Sequence, residues 1–65
     1  MKILETDTLI NFGGLPRIPD GYGVVKCSVD EMYYAVGPDD WRSKPTDQKF
    51  WAFELAMHRA KLESL

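Results

Sequence analysis

Two short stretches rich in glycine, proline and aspartate divide this chain and limit the folds it can form. The first covers residues 13–21, where Pro19-Asp20-Gly21 is a turn signal. The second is Gly37-Pro38-Asp39-Asp40. Because glycine and proline are unfavourable inside helices and central strands, regular structure is expected before, between and after these two breaks.

The segment between the breaks alternates in the manner of a β-hairpin. Val24–Val29 places every second residue on one apolar face, and Met32–Val36 repeats the pattern. Only Asp30 and Glu31 separate the two runs, which predicts a tight antiparallel turn. Asp-Glu is not a preferred two-residue turn sequence, so a longer loop is the alternative.

A third strand and a helix complete the predicted fold. A strand within Ile3–Phe12 is expected because a lone hairpin is marginal in water. No glycine or proline interrupts residues 47–65, and Ser43 or Thr46 is expected to cap the helix that they form. We therefore predict one α+β domain over residues 1–65. It consists of a three-stranded antiparallel sheet with one C-terminal helix packed on one face.

The predicted helix carries apolar residues on two sides. At about 100° per residue, the first stripe is Phe50, Phe53, Ala56, Met57 and Ala60, and the second stripe is Trp51, Leu55, His58, Leu62 and Leu65. One helix on one small sheet can bury only one stripe fully, and the alanines of the first allow close approach to the strands. The second stripe is either covered by the connector over residues 13–21 or exposed for a partner or a second copy.

The residue inventory excludes several kinds of site. Cys27 and His58 are the only residues of their types, so neither an internal disulfide nor a four-ligand structural zinc site of the zinc-finger or zinc-ribbon type can form. No nucleophile–base arrangement and no glycine-rich phosphate-binding motif is visible. We therefore predict that the protein is not an enzyme, with no catalytic residues, no metal and no cofactor.

Hydropathy also bears on location. No apolar run approaches the roughly 20 residues of a membrane span, and acidic residues interrupt the start of the chain where a signal peptide needs an apolar core. We expect a cytoplasmic protein that has no membrane partner.

Charge is divided unevenly along the chain. Residues 1–40 hold seven carboxylates and three basic side chains, a net charge of −4, whereas residues 41–65 have a net charge of +2. The only adjacent carboxylate pairs fall in the predicted turns. They are Asp30 with Glu31 and Asp39 with Asp40. One interpretation is that these acids are simply solvated turn residues.

The other interpretation of the acidic turns is electrostatic. Carboxylates spaced across a rigid surface can stand in for backbone phosphates and occupy a DNA channel lined by lysine and arginine. Glu5 and Asp20 would extend the set. Direct binding to nucleic acid through Arg42, Lys44 and Lys49 is disfavoured by the overall charge of −2.

The second half of the chain resembles known short proteins. Tyr33-Tyr34-Ala35-Val36-Gly37-Pro38-Asp39-Asp40-Trp41, followed by Ser43, Pro45 and a helix, is similar to the strand–turn–helix end of many short phage and prophage proteins. In its length, acidity and lack of catalytic motifs the chain resembles the small anti-CRISPR proteins, particularly acidic inhibitors of type I systems. That resemblance implies binding to the surveillance complex and a block on its access to target DNA.

Together with the acidic turns, this resemblance implies a phage-encoded inhibitor, located in the cytoplasm of the host cell. Its partner is expected to be a host protein complex with a basic DNA-binding surface, and we expect a monomer rather than a homodimer. Tyr33 and Trp41 are aromatic candidates for anchoring the interface. The full set of predicted partner-binding residues is Glu5, Asp20, Asp30, Glu31, Tyr33, Asp39, Asp40 and Trp41.

An alternative belongs to a different functional class. A small phage regulatory or structural accessory protein could self-associate through Trp51, Leu55 and Leu62 of the second stripe.

Overall fold

One antiparallel sheet and one helix make up the regular structure of residues 1–13 and 18–64, which are the residues described by the computed structural model. The strands are β1 (Asp7–Leu9), β2 (Gly23–Cys27) and β3 (Tyr33–Val36), and they lie side by side in the order β1-β2-β3. Helix α1 (Lys49–Glu63) packs against β2 and β3. The predicted α+β fold is confirmed.

The hairpin between β2 and β3 has a longer loop than two residues. Val25 lies opposite Tyr34, and the backbone N–H of Cys27 donates to the carbonyl of Met32 (2.9 Å). The strand pairing therefore stops at Cys27, and residues 28–32 form the connection. The prediction of a tight Asp-Glu turn was wrong, because the connection between the strands has five residues. Glu31 adopts a left-handed conformation (φ 59°) within this wider loop.

The helix also begins differently from its prediction. Gln48 is the N-cap residue, and its side chain makes no capping hydrogen bond. The two predicted caps bond to β3 instead. Ser43 Oγ accepts the N–H of Ala35 (2.9 Å), and Thr46 Oγ1 donates to the carbonyl of Tyr33 (3.0 Å).

Those bonds arise because residues 41–46 run along the outer edge of β3. Tyr33 and Thr46 exchange two backbone hydrogen bonds (2.8 and 2.9 Å). The N–H of Ser43 donates to Ala35 (2.9 Å), and the N–H of Gly37 donates to Trp41 (3.0 Å). The edge of β3 is therefore satisfied from within the chain, which protects it from pairing with other molecules.

The core on the helix side of the sheet is small and apolar. Val24, Ala52 and Phe53 form its buried centre, with Ile10, Phe12, Ile18, Tyr33 and Met57 packed around them. The rings of Phe12 and Phe53 are 5.0 Å apart between centroids. The prediction for the first stripe is confirmed for Phe53 and Ala56, which are buried, and wrong for Phe50, which is 52% exposed. Ala52, which belongs to neither stripe, is fully buried, so the helix is rotated from the predicted orientation.

The second stripe is largely open. Trp51 is 58% exposed, Leu62 and His58 are also exposed, and Leu55 is half-buried. Phe12 and Ile18, which flank the undescribed residues 14–17, pack against the core and not over Trp51. The described part of the connector therefore leaves Trp51 exposed, contrary to the interpretation in which the connector covers it, and residues 14–17 of the connector lie outside the described residues. Leu65 lies outside the described residues.

The other face of the sheet is covered without a helix. Val25, Cys27 and Val36 are buried there, and Met1 and Leu9 lie over Gly23. A hypothetical Cβ at Gly23 would lie 3.3 Å from an atom of each of these two side chains. Within the described residues, no helix is both long enough and apolar enough to cross a membrane.

Candidate acidic binding surface

The sheet topology sorts the six predicted acidic residues into two groups. Ser28 N–H donates to the carbonyl of Thr6 (2.8 Å), so the start of β1 lies beside the β2–β3 loop. At the opposite end, the turn around Gly21 lies against Pro38. The hairpin-end acids are therefore Glu5, Asp30 and Glu31, and the turn-end acids are Asp20, Asp39 and Asp40. β3 separates the two groups by roughly 14 Å, at about 3.4 Å per residue.

Asp30 is the most constrained of the hairpin-end acids. Its carboxylate accepts the N–H of Met32 (2.9 Å) and the hydroxyl of Tyr34. The hydrogen bond from Tyr34 is the main cause that holds the pKa of Asp30 below its ordinary value, and the Met32 N–H acts in the same direction. The same bond raises the pKa of the Tyr34 hydroxyl. Asp30 is thus ionised at neutral pH and fixed in orientation.

The turn-end acids sit on a compact, left-handed turn. Asp39 and Asp40 both have φ of 58°, a region that aspartate tolerates better than most residues. The turn is closed by the N–H of Gly37 on the Trp41 carbonyl (3.0 Å) and the N–H of Trp41 on the Pro38 carbonyl (3.1 Å). Both aspartates are exposed.

The neighbouring turn carries Asp20. Tyr22 N–H donates to the carbonyl of Pro19 (3.1 Å), and Gly21 has φ of 87°. The predicted Pro19-Asp20-Gly21 turn is thereby confirmed, and Asp20 is exposed on it.

Several of these acids are not neutralised by other residues of the described structure. Glu5, Glu31, Asp39 and Asp40 are exposed, and none has an ion pair among residues 1–13 and 18–64. Arg59, a basic residue of the helix, instead pairs with Glu63 on the same helix (2.9 Å). The negative field at both ends of the sheet is therefore directed at solvent.

The two predicted aromatic anchors are half-buried and take part in internal packing. Tyr33 belongs to the rim of the core on the helix side, with the Nζ of Lys26 5.6 Å from its ring centre. Trp41 packs edge-on against Tyr22 (6.4 Å between centroids), and the guanidinium of Arg59 lies 5.2 Å from its ring centre. Only part of each ring is therefore available to a partner.

A polar cluster on the second face of the sheet was not anticipated from sequence. Arg42 forms a two-pronged ion pair with Asp7 (2.8 and 3.0 Å) and stacks on Tyr34 at 4.2 Å from the ring centre. The Asp7 side chain is fully covered, while that of Arg42 is 26% exposed. Hydrogen bonding to Arg42 is the largest cause that lowers the pKa of Asp7.

This cluster changes the surface charge pattern. It withdraws Asp7 from the acidic surface, and it also withdraws Arg42 from the basic residues considered for direct contact with nucleic acid. Asp7 and Arg42 are 35 positions apart. No short motif could have indicated that they meet, although an arginine stacked on a tyrosine ring is a common arrangement.

A groove of about 670 Å³ lies beside the C-terminal half of α1. Its walls include Pro19, Tyr22, Met57, His58 and Ala60. Within the described residues, no group of three or more histidine, cysteine, aspartate or glutamate side chains is arranged to hold a metal ion.

Comparisons of this chain with protein-family models, with curated proteins and with solved structures found no match. The class of the protein is therefore defined by its own structure, a small α+β domain with acids at both ends of its sheet.

Proposed function

We propose that this protein is a phage-encoded inhibitor that binds a CRISPR surveillance complex through its acidic surface and competes with DNA. The observation that carries the proposal is the placement of four exposed carboxylates that have no ion pair with any described residue: Glu5, Glu31, Asp39 and Asp40. The choice of a CRISPR complex as the target rests on the resemblance of the sequence to small acidic inhibitors.

The scaffold suits a competitor of DNA because it holds the two acidic groups at a fixed separation. The roughly 14 Å between them equals the rise of about four base-pair steps along the DNA helix axis. Attraction between these acids and a basic channel speeds encounter. Binding also displaces into solution the counterions of the channel, as the binding of DNA does. The inhibitor and DNA then exclude each other from one surface.

The test uses charge-neutralising variants that preserve the backbone. Asp39→Asn/Asp40→Asn removes two turn-end charges, and asparagine tolerates the left-handed conformation required there. Glu5→Gln/Glu31→Gln does the same at the hairpin end. The matched control is Asp47→Asn/Glu54→Gln, which removes two exposed charges from the helix side of the molecule.

Binding of each variant to a purified type I surveillance complex is measured by titration, together with displacement of target DNA. Each test variant is expected to bind at least about tenfold more weakly, a loss of about 1.4 kcal/mol, while the control changes little. Equal weakening by the control would indicate only a general charge effect. Inhibitor and DNA bound together on the complex would rule out competition.

A second candidate function is favoured by the exposure of Trp51 and Leu62. In this alternative the protein is a small phage regulatory or structural accessory protein that self-associates through the second stripe. Sedimentation of the wild type and Trp51→Lys distinguishes this alternative, because only a helix-mediated assembly dissociates when a lysine replaces the exposed tryptophan.

A further inference from the structure

The outer edge of β1 contrasts with the protected edge of β3. β1 hydrogen-bonds to β2 through Thr6, Thr8 and Ile10, as the bonds Ser28 N–H to Thr6 and Ile10 N–H to Val24 (2.9 Å) indicate. In an antiparallel ladder the alternate residues point their backbone groups the other way. The N–H and carbonyl of Leu9 therefore face away from the sheet, and no described segment pairs with them.

Within the described residues, no helix covers the outer edge of β1. α1 contacts β2 and β3 but not β1. The Leu9 side chain is 59% exposed. Asp7, the other outward-facing residue of β1, already donates its N–H to the carbonyl of Leu4 (3.0 Å), so Leu9 is the residue of β1 whose two backbone groups both lack a partner among residues 1–13 and 18–64.

We propose that β1 pairs with β1 of a second copy of this chain, antiparallel, about a two-fold axis through Leu9. The two Leu9 residues then exchange N–H and carbonyl hydrogen bonds with each other, and their exposed side chains face each other across the axis. The product is a continuous six-stranded sheet with both helices on the same side.

Self-complementarity makes a second copy the appropriate occupant of this edge. A two-fold axis at Leu9 uses the residue of β1 whose two backbone groups have no partner within the described part of the chain, whereas an unrelated extended peptide would need a longer row of such groups. The axis places Asp7 of one copy opposite Asn11 of the other. The Asp7 carboxylate is already paired with Arg42, so no unpaired like charges face each other within this pairing.

This interface is separate from the proposed inhibitory surface and from the second stripe of the helix. The first test is a sedimentation series on the wild type, which is expected to show a concentration-dependent dimer. A wild type that stays monomeric into the millimolar range would overturn the inference.

The position of the axis is tested by charge exchange at Leu9. Leu9→Lys and Leu9→Glu are each expected to weaken dimerisation at least about tenfold, because like charges then oppose each other across the axis. An equimolar mixture of the two variants is expected to recover a heterodimer, measured by native mass spectrometry. Failure of the mixture to recover any dimer would contradict a two-fold axis at this residue.

The hydrogen bonds are tested by Leu9→Pro. Proline is tolerated on edge strands where its nitrogen faces solvent, so the monomer is expected to fold, as circular dichroism would verify. The dimer is expected to be lost, while Trp51→Lys leaves it intact. A dimer that survives Leu9→Pro and dissociates in Trp51→Lys would assign the interface to the helix instead. If Leu9→Pro does not fold, the charge-exchange pair decides the question.

Discussion

The two faces of the sheet are closed by different chemistry. On the helix side, Val24, Ala52 and Phe53 bury one another through apolar contact. On the second face, Arg42 spans the sheet by pairing with Asp7 and stacking on Tyr34. A chain with a single helix still has to cover both sides of its sheet, and here a stacked ion pair helps to cover the side that the helix leaves open.

The difference also lies in how stability is distributed. Helix-side packing involves many side chains, each contributing dispersion and burial. The second face depends strongly on one guanidinium, which makes two charge-assisted hydrogen bonds and one ring contact. Substitutions on the two faces should therefore differ in their response to pH and in their rescue by a second substitution.

The largest expected effect is on the helix side. Phe53→Ala removes a buried ring that packs against Phe12 and Phe50, and it should lower the free energy of unfolding by about 3–5 kcal/mol. Urea denaturation measures the change. Phe50→Ala is the matched control, and since Phe50 is half exposed its loss should be much smaller. Equal losses would mean that Phe53 is not the centre of the core.

On the second face, Arg42→Met should cost about 2 kcal/mol, because the covered Asp7 carboxylate loses its charged partner. Lys44→Met, an exposed neighbour, is the control for removal of a positive charge. The double variant Asp7→Leu/Arg42→Met should recover part of the loss in the same denaturation assay, since no unpaired charge remains. A double variant less stable than Arg42→Met would contradict this account.

The second face should also confer a pH dependence that the apolar core lacks. The pKa values of Asp7 and Asp30 are lower in the folded protein than their ordinary value of 3.8. Their contribution to stability is therefore complete above that value and is lost as the pH falls through the lower, folded pKa values. The urea concentration at the midpoint of denaturation should therefore decrease when the pH is lowered below about 4.

The matched variant for the pH series is Asp7→Asn/Tyr34→Phe, which removes the Arg42 ion pair and the main cause of the shift at Asp30. Its denaturation midpoint should vary less with acid than that of the wild type. An identical acid dependence would assign the effect to carboxylates elsewhere.

The smallest expected effect concerns the loop at the hairpin end. Glu31 is exposed and holds a φ of 59°. Because a side chain disfavours this conformation and glycine does not, Glu31→Gly should stabilise the fold by about 0.5–1 kcal/mol. Val29→Gly, in the same loop at a residue without positive φ, should not stabilise. Thermal unfolding of the two variants would reveal the difference.

Local patterns were sufficient to predict the order of elements. The alternation over Val24–Val36 predicted the hairpin, and an uninterrupted helical segment predicted α1. The helix caps could not be predicted, because Ser43 and Thr46 bond to β3, a partner that becomes available only in the folded chain.

The candidate acidic surface was also predictable only in part from local patterns. Asp20, Asp39 and Asp40 were correctly placed in turns, because proline, glycine and aspartate together favour turns. The grouping of the acids at two ends depends on strand register, which brings Thr6 to Ser28 and Gly21 to Pro38. The Asp7–Arg42 pair depends on a separation of 35 positions, and local periodicity carries no information about it.

The segment over residues 41–46 has a further consequence, for the order in which the chain folds. It joins β3 directly to α1, so β2, β3, this segment and the helix can assemble through short loop closures. β1 joins only across residues 10–22, a longer closure with a larger entropic cost. The amide hydrogens of β1 are therefore expected to exchange with solvent sooner than those of β2, and β1 to be the first strand to detach in local unfolding.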